Sequence, residues 1–478
     1  MASPLRHYKL LIGKENISGQ AGEREVKNPF DQKMVGIVEY ATADQMAQAI
    51  HSAAQAFETT KKLPAYERAR VLAKTSQLIG ERKEEIAKLI ALESGKPINY
   101  ARVEVDRAQF TFISSAEAAK HYGDGHTIDM SIAPSGVGRV GEYRYFPLGV
   151  IGAITPFNFP LNLVAHKVGP ALAAGNTIVL KPAPQTPLTS FVLAELLLES
   201  GMTPGALNVI PCENDVAETL VRSDGIKMIS FTGSDKVGWH LKSISGKARI
   251  ALELGGNGAV IVDEVSDLST IIKTLTVASF NYAGQICISL QRLLIKREYF
   301  QAVLEGMVAA SKEVGIGDPL KESTLVGPMI SEQAARKVEA WIQEAVEQGA
   351  TRHTGEYRTP NWITPTILTN VPSHTNLYIE EAFAPVVLLE PYDTIEEAIA
   401  SVNNTKYGLQ CGLFSSNISV IRKCFEELEI GGLIVNDTNA FRLDTMPYGG
   451  VKSSGLGREG VMFALQEMSE IRLLVTKS

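Results

Sequence analysis

The sequence predicts an α/β protein: a mostly parallel sheet with helices on both faces, a second α/β unit after it, and a small extra β element. Three observations lead there. Between residues 149 and 245, strand-like apolar runs alternate with helical ones, the mark of repeated strand–helix units. A similar alternation starts again at ALELGG and AVIVDE and runs to about LIVNDT. Two extended runs, residues 125–148 and the carboxyl-terminal tail, fit neither unit. A chain of 478 residues is too long for one small core, so two or three structural units are expected.

Taken in order, residues 40–120 are helical, with apolar side chains three and four apart in ADQMAQAIHSAAQAF, AYERARVLAKTSQLIG and NYARVEVDRAQFTF. TIDMSIAPSGVGRVGEYRYFPLG reads as extended segments joined by Gly-rich turns. GVIGAIT, TIVLKP, LNVIP and MISFTG are strands, each followed by a helical run. Ligands of such sheets bind at the carboxyl ends of the strands. Those ends are ITPFN, VLKPA, VIPCEN and FTGSD. The tail ALQEMSEIRLLVTKS ends in a strand-like run that could join 125–148 in a small sheet, a candidate oligomer contact.

Composition excludes several classes. With 45% hydrophobic and 21% charged residues the chain is an ordinary globular protein rather than disordered or fibrous. A net charge of −7, with both signs mixed, gives no footprint for nucleic acid. MASPLRHYKLLIGKENISG has no apolar segment long enough for a signal peptide, and no run of about 18 apolar residues suggests a membrane helix. Cys212, Cys287, Cys411 and Cys424 form no CxxC pair, and the histidines do not cluster, so no metal site is expected. Four reduced thiols in a cytoplasmic compartment is the default.

Gly136–Gly141 and Gly455–Gly460 both fit G-x-G-x-x-G, but neither lies between a strand and a helix, and flexible turns explain them. Phe231-Thr232-Gly233-Ser234-Asp235-Lys236-Val237-Gly238 has the right context, closing a strand and opening a helix whose N–H groups favour phosphate; an N-capped turn is the alternative. Cys287, in NYAGQICISLQ, is a candidate nucleophile or a packed core thiol. Glu253, the one acid in IALELGG, is a candidate general base or a structural ion-pair partner. Asn158, in ITPFNFP, offers an oxyanion donor or a helix cap. Lys181 offers a donor to ribose hydroxyls or is simply solvated.

Together, ITPFNFP, VLKPAPQTP, FTGS, LELGG, NYAGQIC, EEAFAPV and MPYGGVKSSG stand in the order and spacing of the aldehyde dehydrogenase superfamily, which the chain resembles along essentially its whole length. NDTNAFRLDTMPYGGVKSSGLGREG and NFPLNLVAHKVGPALAAGN look most like the lactaldehyde dehydrogenase branch. The resemblance implies a Rossmann-like NAD(P)-binding domain (1–124 and 146–253), a catalytic α/β domain (254–436) and an oligomerisation β element (125–145 and 464–478). It implies Cys287 as nucleophile, Asn158 and the Cys287 N–H as oxyanion donors, and Glu253 as the base that activates water against the thioester. It places NAD or NADP against Ile154, Thr155, Pro156, Phe157, Lys181, Phe231, Thr232, Gly233, Ser234, Val237, Gly238, Leu254, Gly255, Glu381 and Phe383.

Two positions depart from the family pattern. Many NAD-preferring relatives carry Glu where this chain has Pro184, and losing that acid removes a barrier to the 2′-phosphate of NADP, so NADP is expected to be accepted. Glu213 and Asn214 replace glycines found near Cys212 in some relatives, which puts cofactor contacts there in doubt. For the substrate, Asn162 and His166 are four apart on one helix, as are Arg107 and Thr111 on another, and both faces are expected to line a polar tunnel. That suits lactaldehyde, glycolaldehyde or a semialdehyde. A surface pair of Arg107 with Glu104 or Asp106 is the alternative. Ile286 and Ile288 flank the nucleophile in place of a basic clamp, a role open to Arg107 or Arg442. A homodimer or homotetramer is expected. The competing readings are a CoA-acylating dehydrogenase and a non-catalytic binding protein on the same fold.

Overall fold

The computed structural model describes residues 6–355 and 358–477. Residues 1–5 of the amino-terminal segment and Ser478 of the tail lie outside the described residues. Strands Val150–Ile154, Thr177–Lys181 and Leu207–Val209 run parallel on one side; Ile226–Thr232 and Arg249–Glu253 return to the other side of Val150–Ile154. The order in which strands are added therefore reverses between the parallel neighbours Val150–Ile154 and Ile226–Thr232, where a crevice opens at the carboxyl ends. Each of the first four strands is followed by a helix, Asn162–Ala174, Leu188–Glu199, Asn214–Arg222 and Asp235–Ile244. Every residue of Asn162–Ala174 is buried, because the long helix Ile98–His121 and the helix Val461–Glu467 cover it from outside.

Two elements of this sheet were not legible beforehand. Leu10–Ile12 and Glu15–Ile17 add antiparallel strands at one edge, and Gly455–Leu456 pairs antiparallel with Arg249–Glu253 at the other. The second of the G-x-G-x-x-G matches is thus edge strand and turn; the first lies in a 3₁₀ turn, Pro134–Gly136, and the strand Arg139–Pro147. Neither precedes a phosphate-binding helix of this sheet.

The second sheet orders Thr351–Arg352, Thr366–Thr369, Val386–Tyr392, Arg292–Lys296, Ala259–Val262, Gln410–Phe414 and Gly432–Val435, parallel except for the first pair. Its first and last central members fall within 254–436. The sequence left 437–463 unassigned; in the structure Gly455–Leu456 joins the first sheet and the helix from Val461 packs on it, whereas Val451–Lys452 pairs with Tyr407–Gly408. The expected third sheet forms from His126–Asp129, Arg139–Pro147 and Ser469–Lys477, all antiparallel. Its tail strand begins at Ser469, so Val461–Glu467 is a helix that packs on the first unit instead.

One buried pair ties the two halves of the crevice. Lys96 and Glu104 are 1% and 0% exposed and form an ion pair. The other Glu104 oxygen accepts the N–H groups of Leu161 (2.9 Å) and Asn162 (3.1 Å), capping a helix with no side-chain cap of its own. The Lys96 ammonium lies 3.6 Å from the Phe159 ring centre and 4.8 Å from that of Tyr282. Burial pushes its pKa down to about 8, against the upward pull of Glu104. We expect Glu104→Gln to cost about 3–5 kcal/mol, since it strands a buried charge, and Lys96→Met/Glu104→Leu to cost less. Urea denaturation of both variants checks this; a single substitution costing under about 1 kcal/mol contradicts it.

Candidate active site

A cavity of about 660 Å³ fills the crevice between the two sheets. Strand ends supply one wall: Ile154, Thr155, Pro156, Phe157 and Asn158 after the first strand, Lys181 and Pro184 after the second, and Phe231, Thr232, Gly233 and Ser234 after the fourth. Val237, Glu253, Leu254, Gly255, Cys287, Glu381 and Phe383 also line it. Gly238 sits one layer behind, where a Cβ would collide with the Leu254 side chain.

Ser234 is the residue preceding helix Asp235–Ile244, yet its side chain makes no capping bond, which leaves the hydroxyl open toward the cavity. Gly233 N–H donates to the Glu253 carbonyl (3.1 Å), locking the turn against the neighbouring strand end. Lys181 is buried rather than solvated, and burial pushes its pKa down. Asn214, Glu218 and Gln185 share the wall with Lys181 and Pro184, as His240 does; Glu218 is engaged by His240 (2.9 Å) and Arg222 (3.2 Å). At the far end Glu381 accepts the Gly256 N–H (3.1 Å), and burial raises its pKa to about 7. Phe383 takes a left-handed φ of 51° and meets Phe157 edge-on at 5.8 Å.

Cys287 follows a tight passage in which Tyr282, Ala283 and Gly284 all have positive φ (51°, 53° and 66°). Two consecutive non-glycine residues in that region are strained and need outside support. Tyr282 supplies it: its N–H donates to the Leu325 carbonyl (3.1 Å) and its hydroxyl to the Ser94 carbonyl (3.2 Å). Asn158 does not cap a helix. Its Nδ2 donates to the Gln285 carbonyl (3.0 Å), two residues before Cys287. The Cys287 sulfur is half-buried and 3.0 Å from the Tyr448 hydroxyl. Burial pushes its thiol up to about 11, against the lowering pull of the Tyr448 bond and the Arg442 charge.

Among the described residues Glu253 has no hydrogen-bond partner: both carboxylate oxygens are buried without one. Burial, then the nearby Glu459, raises its pKa well above the ordinary carboxylate range. Glu459 shows the opposite. Burial alone would raise it, but Lys167 (3.2 Å) and Arg442 (2.7 Å) hold it down to about 2. A half-buried nucleophile candidate, an amide donor and an unpaired carboxylate thus converge on one cavity.

Comparison with known proteins agrees with this geometry. Residues 17–474 match the Aldehyde dehydrogenase family. The chain belongs to the aldehyde dehydrogenase family. It is 42% identical over 473 residues to a 3-sulfolactaldehyde dehydrogenase of Priestia megaterium, covering 98% of each chain. It is 39% identical to a lactaldehyde dehydrogenase of Methanocaldococcus jannaschii, covering 95% of this chain and 97% of that one. Among solved structures, aldehyde dehydrogenase 21 of Physcomitrella patens, in complex with succinate, superposes with a TM-score of 0.97 at 40% identity over 99% of both chains. A glyceraldehyde-3-phosphate dehydrogenase of Methanocaldococcus jannaschii complexed with NADP gives 0.91 at 38% identity, covering 95% and 99%.

In this aldehyde dehydrogenase the expected tunnel residues need correction. Asn162 and His166 share a helix face as expected, but that face meets Asp444 rather than open space: Asn162 Nδ2 donates to it (3.0 Å), and His166 Nε2 lies 2.8 Å away. Arg107 pairs with Asp444 too (2.6 Å), not with Glu104 or Asp106 and not with the cavity. Thr111 donates to Asn162 (3.1 Å). Ile288 is buried against Leu409 and Tyr448, and the partly buried Ile286 packs beside them and Cys287, where neither offers a polar group. The cavity wall near Cys287 is Arg442, Tyr448 and Glu459 instead. Arg442, admitted from sequence only as an alternative clamp, stacks 3.7 Å over the Tyr448 ring, and its buried Nε has no partner.

Although burial alone would raise it, the His166 and Arg107 bonds hold the Asp444 carboxyl far below the usual range. Asp444 therefore contributes stability above its unfolded pKa of about 3.9. That contribution is lost as pH falls toward its folded value. Asp444→Ala should cost about 3 kcal/mol or more at pH 7 by chemical denaturation, and the difference from wild type should shrink in strong acid. A pH-independent difference would refute the assignment.

Proposed function

We propose that this aldehyde dehydrogenase oxidises a short aldehyde bearing an anionic group to the corresponding acid, with NADP or NAD as acceptor. The observation that carries it is one cavity lined by Cys287, Asn158, the unpaired Glu253 and the buried Arg442, whose Nε has no hydrogen-bond partner among the described residues. Cys287 adds to the aldehyde carbonyl, and Asn158 Nδ2 with the Cys287 N–H steadies the oxyanion. NAD or NADP held in this cavity would supply the hydride acceptor that turns the adduct into a thioester. Glu253 takes a proton from water as it attacks the resulting thioester, and the carboxylic acid leaves. The Arg442 fork recognises a carboxylate or sulfonate. The names of the sulfolactaldehyde and lactaldehyde relatives, and the succinate complex, support a small polar substrate of this kind.

The residues fit the cofactor. Lys181 faces the ribose position, Ser234 and the start of Asp235–Ile244 suit the pyrophosphate, and Glu381 and Phe383 flank the nicotinamide end. Pro184 offers no carboxylate to repel a 2′-phosphate, and Glu218 on that wall is already paired. The NADP complex of a relative agrees with this. The unit boundaries at 253/254 and 436 belong to the same proposal. So does a homodimer or homotetramer built on the third sheet, where Ile471, Leu473 and Leu474 are exposed. Four free thiols suit a cytoplasmic setting.

Cys287→Ser should lose at least about 10³-fold in turnover and still bind NADP. Turnover should need no CoA; reduced cofactor forming only with CoA would favour the acylating reading. Because the raised Glu253 must lose its proton to act, kcat should climb through an acid limb above the ordinary carboxylate range, and Glu253→Gln should abolish that limb. Arg442→Lys should raise KM about tenfold for a carboxylate- or sulfonate-bearing aldehyde and leave propanal within about threefold. Equal effects on both would remove the anionic substrate. A preference for NAD over NADP above about 100-fold, roughly 3 kcal/mol, would remove the cofactor assignment.

A further inference from the structure

The chemistry above leaves one polar neighbour of the nucleophile unused. The Tyr448 hydroxyl is 3.0 Å from Cys287 Sγ, on a residue only 3% exposed. Its ring is fixed from several sides. Arg442 stacks over it at 3.7 Å, Leu409 and Ile288 pack against it, and its backbone exchanges hydrogen bonds with Glu459 (3.0 and 2.6 Å). A buried phenol requires a partner, and the one Tyr448 has among the described residues is the reacting sulfur. With Cys287 as a thiol, either group can donate. With Cys287 as a thiolate, only the phenol carries a proton to give.

We propose that Tyr448 is a catalytic residue: its hydroxyl donates to the Cys287 thiolate, fixing the fraction of enzyme ready to attack and aiming the sulfur into the cavity. The inference rests on reading Cys287 as the nucleophile. On ionisation the thiol proton passes to water in the cavity, and the phenol proton stays on its oxygen, because burial holds Tyr448 far above neutrality. When sulfur bonds to the carbonyl carbon it becomes neutral and a poorer acceptor, so the bond is strongest in the state that must wait for substrate.

Other charges face this pair. Arg442 approaches from the segment before Tyr448, Glu381 from the loop ahead of Val386–Tyr392, and Glu253 from its strand end. Glu459 and Lys167 act one layer further out, through Glu253. The two acids oppose ionisation of Cys287, and Arg442 favours it across the ring. None of these side chains hydrogen-bonds to Sγ among the described residues; Tyr448 alone does.

The test is the pH dependence of Cys287 alkylation by iodoacetamide, with and without NADP, in wild type and Tyr448→Phe. Cys212, Cys411 and Cys424 are buried and react far more slowly. The midpoint should rise by about one pH unit or more in Tyr448→Phe, roughly tenfold less thiolate at a fixed lower pH. The acid limb of kcat/KM should move with it. A mere packing role would lower Tm and leave the midpoint in place, and a midpoint within about 0.2 units of wild type overturns the proposal. If Phe does not fold at 448, enzyme grown with 3-fluorotyrosine serves: its more acidic hydroxyl donates more strongly, so the midpoint should fall, and no fall overturns the proposal. Cys287→Ser separates the two readings. An active Cys287→Ser enzyme defeats the nucleophile assignment, whereas an inactive one with an unmoved midpoint in Tyr448→Phe defeats only the role of Tyr448.

Discussion

The buried Lys96–Glu104 pair is the constraint on which the crevice depends. A lysine and a glutamate with almost no exposure would be costly if either stood alone. Each is instead satisfied by groups from different halves of the site. Glu104 spends one oxygen on Lys96 and the other on the two free N–H groups that open helix Asn162–Ala174, and so fixes the turn carrying Asn158. Lys96 rests between Phe159 from that turn and Tyr282 from the left-handed passage ahead of Cys287. The Asn158–Gln285 bond closes the loop directly. The proposed oxyanion donor, Asn158, and the proposed nucleophile, Cys287, are thereby held in one register on separate segments.

The same region sorts its two buried acids by what surrounds them. Glu459 receives Lys167 and Arg442 and stays ionised; Glu253 receives no donor and is pushed toward the neutral form. Two carboxylates near each other cannot both carry charge cheaply, and their environments push them apart. The ionised acid serves structure by neutralising two buried cations. The other is held toward its protonated form, above the ordinary carboxylate range, with no cation bonded to it, so it can take a proton from water once ionised.

The sequence made the strand ends legible because their roles are local. A strand that closes at FTGS or VLKPA puts those residues at the carboxyl edge whatever the rest of the fold does, and all the residues picked there line the cavity except Gly238, which backs it. The helix-face argument for Asn162 and His166 was sound in its geometry and failed in its destination. Periodicity tells which residues share a face but not what covers it. Here Asp444 arrives from more than 270 residues away to fill the space. Arg107 failed for the same reason, drawn to the same carboxylate. The pairing of Gly455–Leu456 with the first sheet was hidden likewise, since its partner strand lies some 200 residues earlier. Local pattern carries no record of such pairings.

Arg442 shows why substrate choice and chemistry are hard to separate in this site. Its guanidinium already holds Glu459 ionised, lies flat on the ring that supports the Cys287 sulfur, and keeps one N–H unpaired beside the cavity. The first contact keeps Glu459 from competing for a proton with Glu253. The second places positive charge one ring away from a thiolate. Of the three, only the last is a donor left without a partner among the described residues. An anionic aldehyde bound there would complete the valence of a buried cation that is otherwise unsatisfied. A neutral aldehyde would leave it open. The discrimination then comes less from attraction in the encounter than from the cost of leaving Arg442 Nε dry and unpaired once the crevice is filled, which is how a site with few polar contacts can still reject the wrong small molecule.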